Sequence, residues 1–314
     1  MDVRSIRRKL ARWYERAKRD LPWRRTRDPY AILISEVMLQ QTRVAAVIPY
    51  YERFLKRFPN AEALAAAPEA EVLALWSGLG YYSRARNLQK AARQIVERGA
   101  FPRDYASIRE LAGVGDYTAA AISSIAFGLP HAVVDGNIRR VIVRLTNDDG
   151  VDVRRKADGL LDNGDSGRSN QSLMELGAIV CLPGDPRCGV CPVVDHCESR
   201  KHGNPSELPS KRTKPYPVRL ERTLLIIRRR NQVLLVPSPR VKGFWDLPGP
   251  FTSARLGRRL GEFRHTITHH YYRFFVHEAA ANSFPKASLW WPFREENEIP
   301  LSTTAKKALR CLGR

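Results

Sequence analysis

Leu111-Ala-Gly-Val-Gly-Asp-Tyr-Thr-Ala119, an alanine-rich run to Phe127, and Val133-Val-Asp-Gly-Asn137 together decide how this chain is read. Gly113 and Gly115 lack a Cβ, so the backbone can turn tightly and bring its N–H groups up to a phosphate just ahead of a helix N-terminus. One helix later comes Asp135, followed by Gly136-Asn-Ile-Arg-Arg-Val-Ile-Val-Arg with helical spacing, which places the aspartate at an N-cap. A turn suited to a DNA backbone thus stands next to a carboxylate suited to stabilising a cation.

Working outward, residues 5 to 197 carry helical periodicity almost throughout, broken by short Pro and Gly turns. Helices are expected near 30–43, 46–58, 69–75, 83–98, 105–111, 118–127, 137–145 and 171–180, with a further one at the N-terminus facing inward through Ile6, Leu10 and Trp13. The polar stretch 147–167 reads as a mobile connection. Residues 203–218, with Pro205, Pro209, Pro215 and Pro217, read as a linker. Beyond them the period becomes two, predicting strands over 222–228, 232–237 and 271–279. The expected organisation is a mainly α domain over 1–202, a linker over 203–218 and a small α+β domain over 219–314.

Lys and Arg outnumber Asp and Glu by 53 to 32 in 314 residues, a formal net charge of +21, which points to a polyanionic partner. No apolar run approaches the roughly 20 residues of a membrane span. The N-terminus lacks an apolar signal core, so the expected location is the cytoplasm, with the DNA.

Four cysteines fall in one window, Cys181, Cys188, Cys191 and Cys197, spaced by six, two and five residues. Clustering without a secretion signal favours metal binding over disulfides, and one Cys-x2-Cys flanked by longer gaps favours a [4Fe–4S] cube over zinc. Glu36 lies in an apolar helix among Ile32, Leu33 and Leu39, where desolvation raises a carboxyl pKa and suits a general acid; pairing with Arg24 or Arg25 is the alternative. Asp135, capped and ionised, is its counterpart, unless it serves only as a cap. Two carboxyls pushed apart in pKa make the division of labour of glycosidic bond cleavage.

The glycine hairpin, Val134-Asp-Gly-Asn137 and the cysteine spacing resemble the helix-hairpin-helix DNA glycosylases of the endonuclease III superfamily. Pro22-Trp-Arg24, Leu33-Ile-Ser-Glu-Val-Met-Leu-Gln-Gln-Thr-Arg-Val44, Trp76-Ser-Gly-Leu-Gly-Tyr-Tyr-Ser-Arg-Ala-Arg-Asn-Leu88 and Leu173-Met-Glu-Leu-Gly-Ala178 resemble its adenine-specific MutY branch. The resemblance implies double-stranded DNA as partner, containing 8-oxoguanine·adenine or guanine·adenine mispairs, with adenine flipped out and released. It implies a monomer. Glu36 would protonate adenine N7 and Asp135 stabilise the sugar cation, with Tyr117 and Asn137 assisting. Trp23, Arg24 and Glu175 would line the base pocket, while Gln41 and Tyr81 would enter the stack beside the lesion. Relatives that also cut the strand carry Lys where this chain has Tyr117, and a phenol forms no imine, so a monofunctional enzyme is expected.

Gly243-Phe-Trp-Asp-Leu-Pro-Gly249 and Phe263-Arg-His-Thr-Ile-Thr-His269 resemble the Nudix-like lesion-reading domain of that branch. Thr268 and His269 are its expected lesion contacts, but Ile267 replaces the usual aromatic residue, and the glutamate row of Nudix hydrolases is absent. A G·T mismatch thymine glycosylase and a non-catalytic damage-binding protein are the other functions considered.

Overall fold

The apolar segment around Glu36 forms a helix that is buried on every side. Asp28 caps it through the Tyr30 N–H, Pro29 fits its first turn, and Tyr30 to Met38 are all buried. A helix apolar all round has to be a core helix, and the others pack about it. The computed structural model describes residues 2–210, 218–267, 270–292 and 299–313. In chain order the helices are α1 (Val3–Ala17), α2 (Pro29–Leu39), α3 (Val44–Arg57), α4 (Ala61–Ala66), α5 (Glu69–Trp76), α6 (Ser83–Glu97), α7 (Tyr105–Arg109), α8 (Asp116–Phe127), α9 (Gly136–Thr146), α10 (Val153–Leu160), α11 (Ser166–Ile179) and α12 (Glu198–Lys201). The strands are β1 (Val218–Ile226), β2 (Arg228–Arg229), β3 (Gln232–Pro237), β4 (Trp245–Asp246), β5 (Ala254–Ile267), β6 (His270–Ala281) and β7 (Leu289–Pro292), followed by α13 (Thr303–Leu309).

The chain divides into two units, one of residues 1–65 and 87–212, the other of residues 66–86 and 213–314. The first is helical. Its α2 packs against α3 and α8, while Ile6 and Leu10 of α1 join Ala120, Ile138, Ile142, Leu160, Leu173 and Leu176 in a second cluster. Trp13 is partly buried against the same cluster, and Tyr14 is buried as well. The expected mobile stretch 147–167 is instead partly ordered as α10, because Asp152 caps it and Ala157, Leu160 and Leu161 recur at helical spacing toward the core. The polar residues between them had hidden that stripe.

The second unit takes in 66–86 together with the C-terminal residues, a grouping the linear pattern of helices and strands does not announce. Its three-stranded sheet has the order β1-β6-β5, parallel between β1 and β6 and antiparallel between β6 and β5. A smaller sheet joins β2, β3 and β4, with β7 on β3. Phe274, Val276, Ala305 and Ala308 lie in one apolar cluster of this unit. The period-two reading located β1, β3 and β6; it missed most of β5, whose glycines and arginines break the alternation. Thr268 and His269 lie outside the described residues, between Ile267 and its register partner His270. Among the described residues no helix is long and apolar enough to cross a membrane.

In the first unit α11 crosses α9 so closely that a Cβ on Gly177 would stand 2.7 Å from the Asn137 Cβ and 3.2 Å from its backbone. Gly177→Ala is expected to destabilise the protein by roughly 1–3 kcal/mol through overpacking, measured as a lowered denaturant midpoint. An unchanged midpoint would show that the crossing has slack.

Candidate active site

In the helical unit, α2, α8, α9 and α11 meet around a cavity of about 240 Å³ lined by Trp23, Arg24, Glu36, Tyr117, Asp135, Asn137 and Glu175 among others. These are the residues that the sequence singled out for catalysis and for the base pocket, from five separate segments. Glu36 is 6% exposed, and its Oε2 has no hydrogen-bond partner among the described residues. Burial pushes its carboxyl up to about 7. The Tyr117 hydroxyl pulls the other way, the Asp135 charge adds to the rise, and Arg24 weakly opposes it. Pairing with Arg24 or Arg25 does not occur: Arg25 pairs with Asp20, and Arg24 with Glu175.

Asp135 is held ready as an acceptor. Its Oδ1 accepts the Ile138 N–H at 2.7 Å, capping α9, and its Oδ2 accepts the Asn137 amide at 3.0 Å. Capping and orientation are here one arrangement, since the bonds that satisfy the helix end also fix the direction of the carboxylate. Asn137 is itself held by Arg140, which donates to its Oδ1 at 2.8 Å and to the Gly177 carbonyl at 2.7 Å. Tyr117 donates to the Met174 sulfur. Burial and the charges of Glu36 and Asp135 push its phenol well above the ordinary range, so it stays neutral.

Glu175 shows the opposite balance. It is 0% exposed, and burial alone would raise its pKa, yet bonds from Arg19 and Arg24 hold it at about 2. Arg19 adds its backbone N–H at 2.9 Å. Arg19 and Arg140 escaped the sequence reading, since nothing near residue 19 is periodic or motif-like and the helical spacing around Arg140 does not show which groups it meets. Trp23 is buried edge-on against Tyr51 at a centroid distance of 5.4 Å.

The hairpin precedes α8, whose N-cap, Gly115, has no side chain with which to cap the N–H groups of the first turn. Gly113 has φ of +78°, and any Cβ there would clash with Asn87 at 2.7 Å. Gln41 and Tyr81 both take left-handed backbone angles, φ +57° and +49°, and both are exposed. Such angles cost a non-glycine residue about 1 kcal/mol or more and signal an imposed placement.

Cys181, Cys188, Cys191 and Cys197 line one cavity together with Arg144, and none forms a disulfide. Among the described residues no group of His, Cys, Asp or Glu side chains stands arranged to hold a metal ion. Arg144 donates to the Cys181 sulfur at 3.3 Å and Arg140 to the Cys181 carbonyl at 2.7 Å.

A family model described as HhH-GPD superfamily base excision DNA repair protein matches residues 34–162. The chain is 36% identical over 249 residues to the adenine DNA glycosylase of Buchnera aphidicola subsp. Baizongia pistaciae, covering 75% of this chain and 70% of that protein. It is 46% identical over 231 residues to the rat adenine DNA glycosylase, covering 66% of this chain but only 45% of the rat protein. Among solved structures it is similar to a thermostable thymine-DNA glycosylase, with a TM-score of 0.61 and 31% identity over 64% of this chain and 97% of that one.

Glu36 carries a testable cost. Its carboxyl stands near 7 in the folded protein against an ordinary 4.5, so its contribution to stability is intact below 4.5 and lost as pH rises through 7. Glu36→Gln should leave stability unchanged below about pH 4 and raise it by on the order of 3 kcal/mol above about pH 8. Denaturant midpoints of both proteins across pH check this; a constant difference would mean that Glu36 is not held protonated.

Proposed function

The chain belongs to the adenine DNA glycosylase family of the endonuclease III superfamily, hydrolases of base excision repair that cut the N-glycosidic bond of adenine, and from that premise we propose how this chain does it and on which pair. The single observation that carries the reading is the buried Glu36, with an unpartnered Oε2, in the same cavity as an Asp135 locked by Ile138 and Asn137. Double-stranded DNA is the partner. Its adenine, opposite 8-oxoguanine or guanine, swings into the cavity, where Trp23 forms a wall and the ionised Glu175 accepts from the exocyclic amine.

Glu36 gives its proton to adenine N7. The bond from N9 to the sugar breaks, its electron pair leaves with adenine, and the oxocarbenium ion that remains is stabilised by Asp135 across the cavity. Water then adds to the sugar carbon, its released proton restores the Glu36 carboxyl, and free adenine and an abasic site result. Tyr117 forms no imine, so the strand stays whole and the enzyme is monofunctional. Gln41 and Tyr81 enter the stack on the lesion side, and the Gly113–Gly115 turn grips a phosphate. The chain works as a monomer.

Cys181, Cys188, Cys191 and Cys197 would hold a [4Fe–4S] cluster, which would tie down the segment after α11 and take no part in bond cleavage. The second unit, through its resemblance at 243–249 and 263–269, serves as a Nudix-like lesion reader, with Thr268 and His269 as its contacts.

A panel of duplexes bearing 8-oxoguanine·adenine, guanine·adenine and guanine·thymine tests this. Adenine is expected from the first two, with strands uncut until alkali is added, and Asp135→Asn should lower the rate by roughly 10²–10³ or more. Thymine release without adenine release would favour the reading suggested by the similar thymine-DNA glycosylase. No base release from any duplex by the iron-loaded protein would favour a damage-binding role, and a colourless zinc protein in place of about four irons per chain would overturn the cluster.

A further inference from the structure

We propose that Arg84 is the positioning residue that holds Tyr81 outward for insertion beside the lesion, an inference that rests on the reading of Tyr81 given above. Tyr81 has two unusual properties together: a left-handed backbone angle of +49° and a ring that is 47% exposed. A tyrosine does not choose that conformation. It persists only where the surroundings over-determine it.

Arg84 supplies much of that determination within the second unit. Its Nη2 donates to the carbonyls of Leu79 and Gly80, at 3.3 and 3.1 Å, the two residues that lead into Tyr81. Its guanidinium carbon stands 5.5 Å from the Tyr81 ring centroid and 5.4 Å from that of Trp76, which is fully buried. Trp76 donates to the same Gly80 carbonyl at 3.2 Å. One planar cation thus sets both the turn and the ring that the turn presents. Arg84 itself is only 8% exposed, and burial brings its guanidinium down to about 10, so the contacts act where water does not weaken them.

The ends of the turn are fastened separately. Ser77 donates to the Leu301 carbonyl at 2.8 Å, and the Tyr82 ring lies 3.9 Å from that of Phe244. Tyr82 therefore points inward and is spent on packing, while Tyr81 is left outward with Arg84 against it. Lysine would not replace Arg84, since it lacks the plane that lies against a ring.

The test is a double-mutant cycle on the full chain with its metal content verified, reading the single-turnover rate of adenine release from an 8-oxoguanine·adenine duplex and the affinity for that duplex. Tyr81→Ala is expected to weaken one or both, and Arg84→Met to weaken the same quantity by roughly tenfold. The double variant should be no worse than Tyr81→Ala alone, to within about twofold. If thermal melting shows that Arg84→Met is poorly folded, Arg84→Lys, which keeps the cation, carries the cycle. Losses that multiply in the double variant, or an Arg84 variant as active as wild type while Tyr81→Ala is impaired, would overturn the positioning role alone. An unimpaired Tyr81→Ala would overturn the reading of Tyr81, and the inference with it.

Discussion

A carboxyl group kept out of water without a counterion is the constraint on which the helical unit depends. Glu36 sits on a helix with no polar face, and an ionised carboxylate there would cost several kcal/mol unless paired. The protein contains the cations that would pair it, and it places them elsewhere. Arg19 and Arg24 both bond to Glu175, and Arg24 reaches Glu36 only as a weak long-range charge. Glu175 thereby does two things: it stays ionised although fully buried, and it keeps the arginines from ionising its neighbour. The pocket contains one carboxyl near 7 and one near 2 because two guanidinium groups are shared unequally between them. That inequality, more than any single residue, allows an acid and an acceptor to coexist in one cavity.

The placement of Asp135 follows from a different constraint, that of a helix end. The first turn of α9 needs acceptors, and Asp135 meets that need through Ile138 while Asn137 bonds its other oxygen. What makes this arrangement stiff lies one turn further on. Arg140 is hydrogen-bonded to Asn137, to Gly177 of α11 and to Cys181, and Arg144 reaches Cys181 and Leu182. Arginine, with a fork of donors and no proton to lose, can satisfy several buried carbonyls at once. The same helix face thus joins the end of α11 and the cysteine loop to the residue that aims Asp135, which accounts for the bareness of Gly177 where α11 approaches.

How far the sequence could be read differs with the kind of signal. Glu36 among Ile32, Leu33 and Leu39, and Asp135 ahead of a helical run, were legible because burial and capping leave a local trace. Periodicity located α2, α8 and α9, and the strands β1, β3 and β6, for the same reason. The partners of those residues were not legible. Arg19 bonds Glu175 across 156 positions, and nothing near residue 19 announces it. Helix α10 was read as part of a mobile connection because the stretch 147–167 is polar and rich in Asp and Gly, although Ala157, Leu160 and Leu161 keep helical spacing. The grouping of 66–86 with the C-terminal residues depends on tertiary packing alone, such as Tyr82 against Phe244. Local chemistry could be read from the chain; the choice of which charge meets which could not.

Tyr117 connects these strands of argument. It faces both carboxyls of the cavity, and the charges of Glu36 and Asp135 act on its phenol in addition to burial. A lysine at that position would place a cation within reach of Glu36, and the attraction between opposite charges in a desolvated site amounts to several kcal/mol. Glu36 would then ionise and cease to be an acid near neutral pH. A neutral phenol avoids this, perturbing Glu36 only through a hydroxyl that is otherwise engaged with Met174. The absence of an amine nucleophile and the protonation of Glu36 are therefore not two separate properties. A cavity that keeps a carboxyl protonated by desolvation cannot hold a charged lysine beside it, so the neutral phenol at 117 and the raised carboxyl of Glu36 belong to one electrostatic balance.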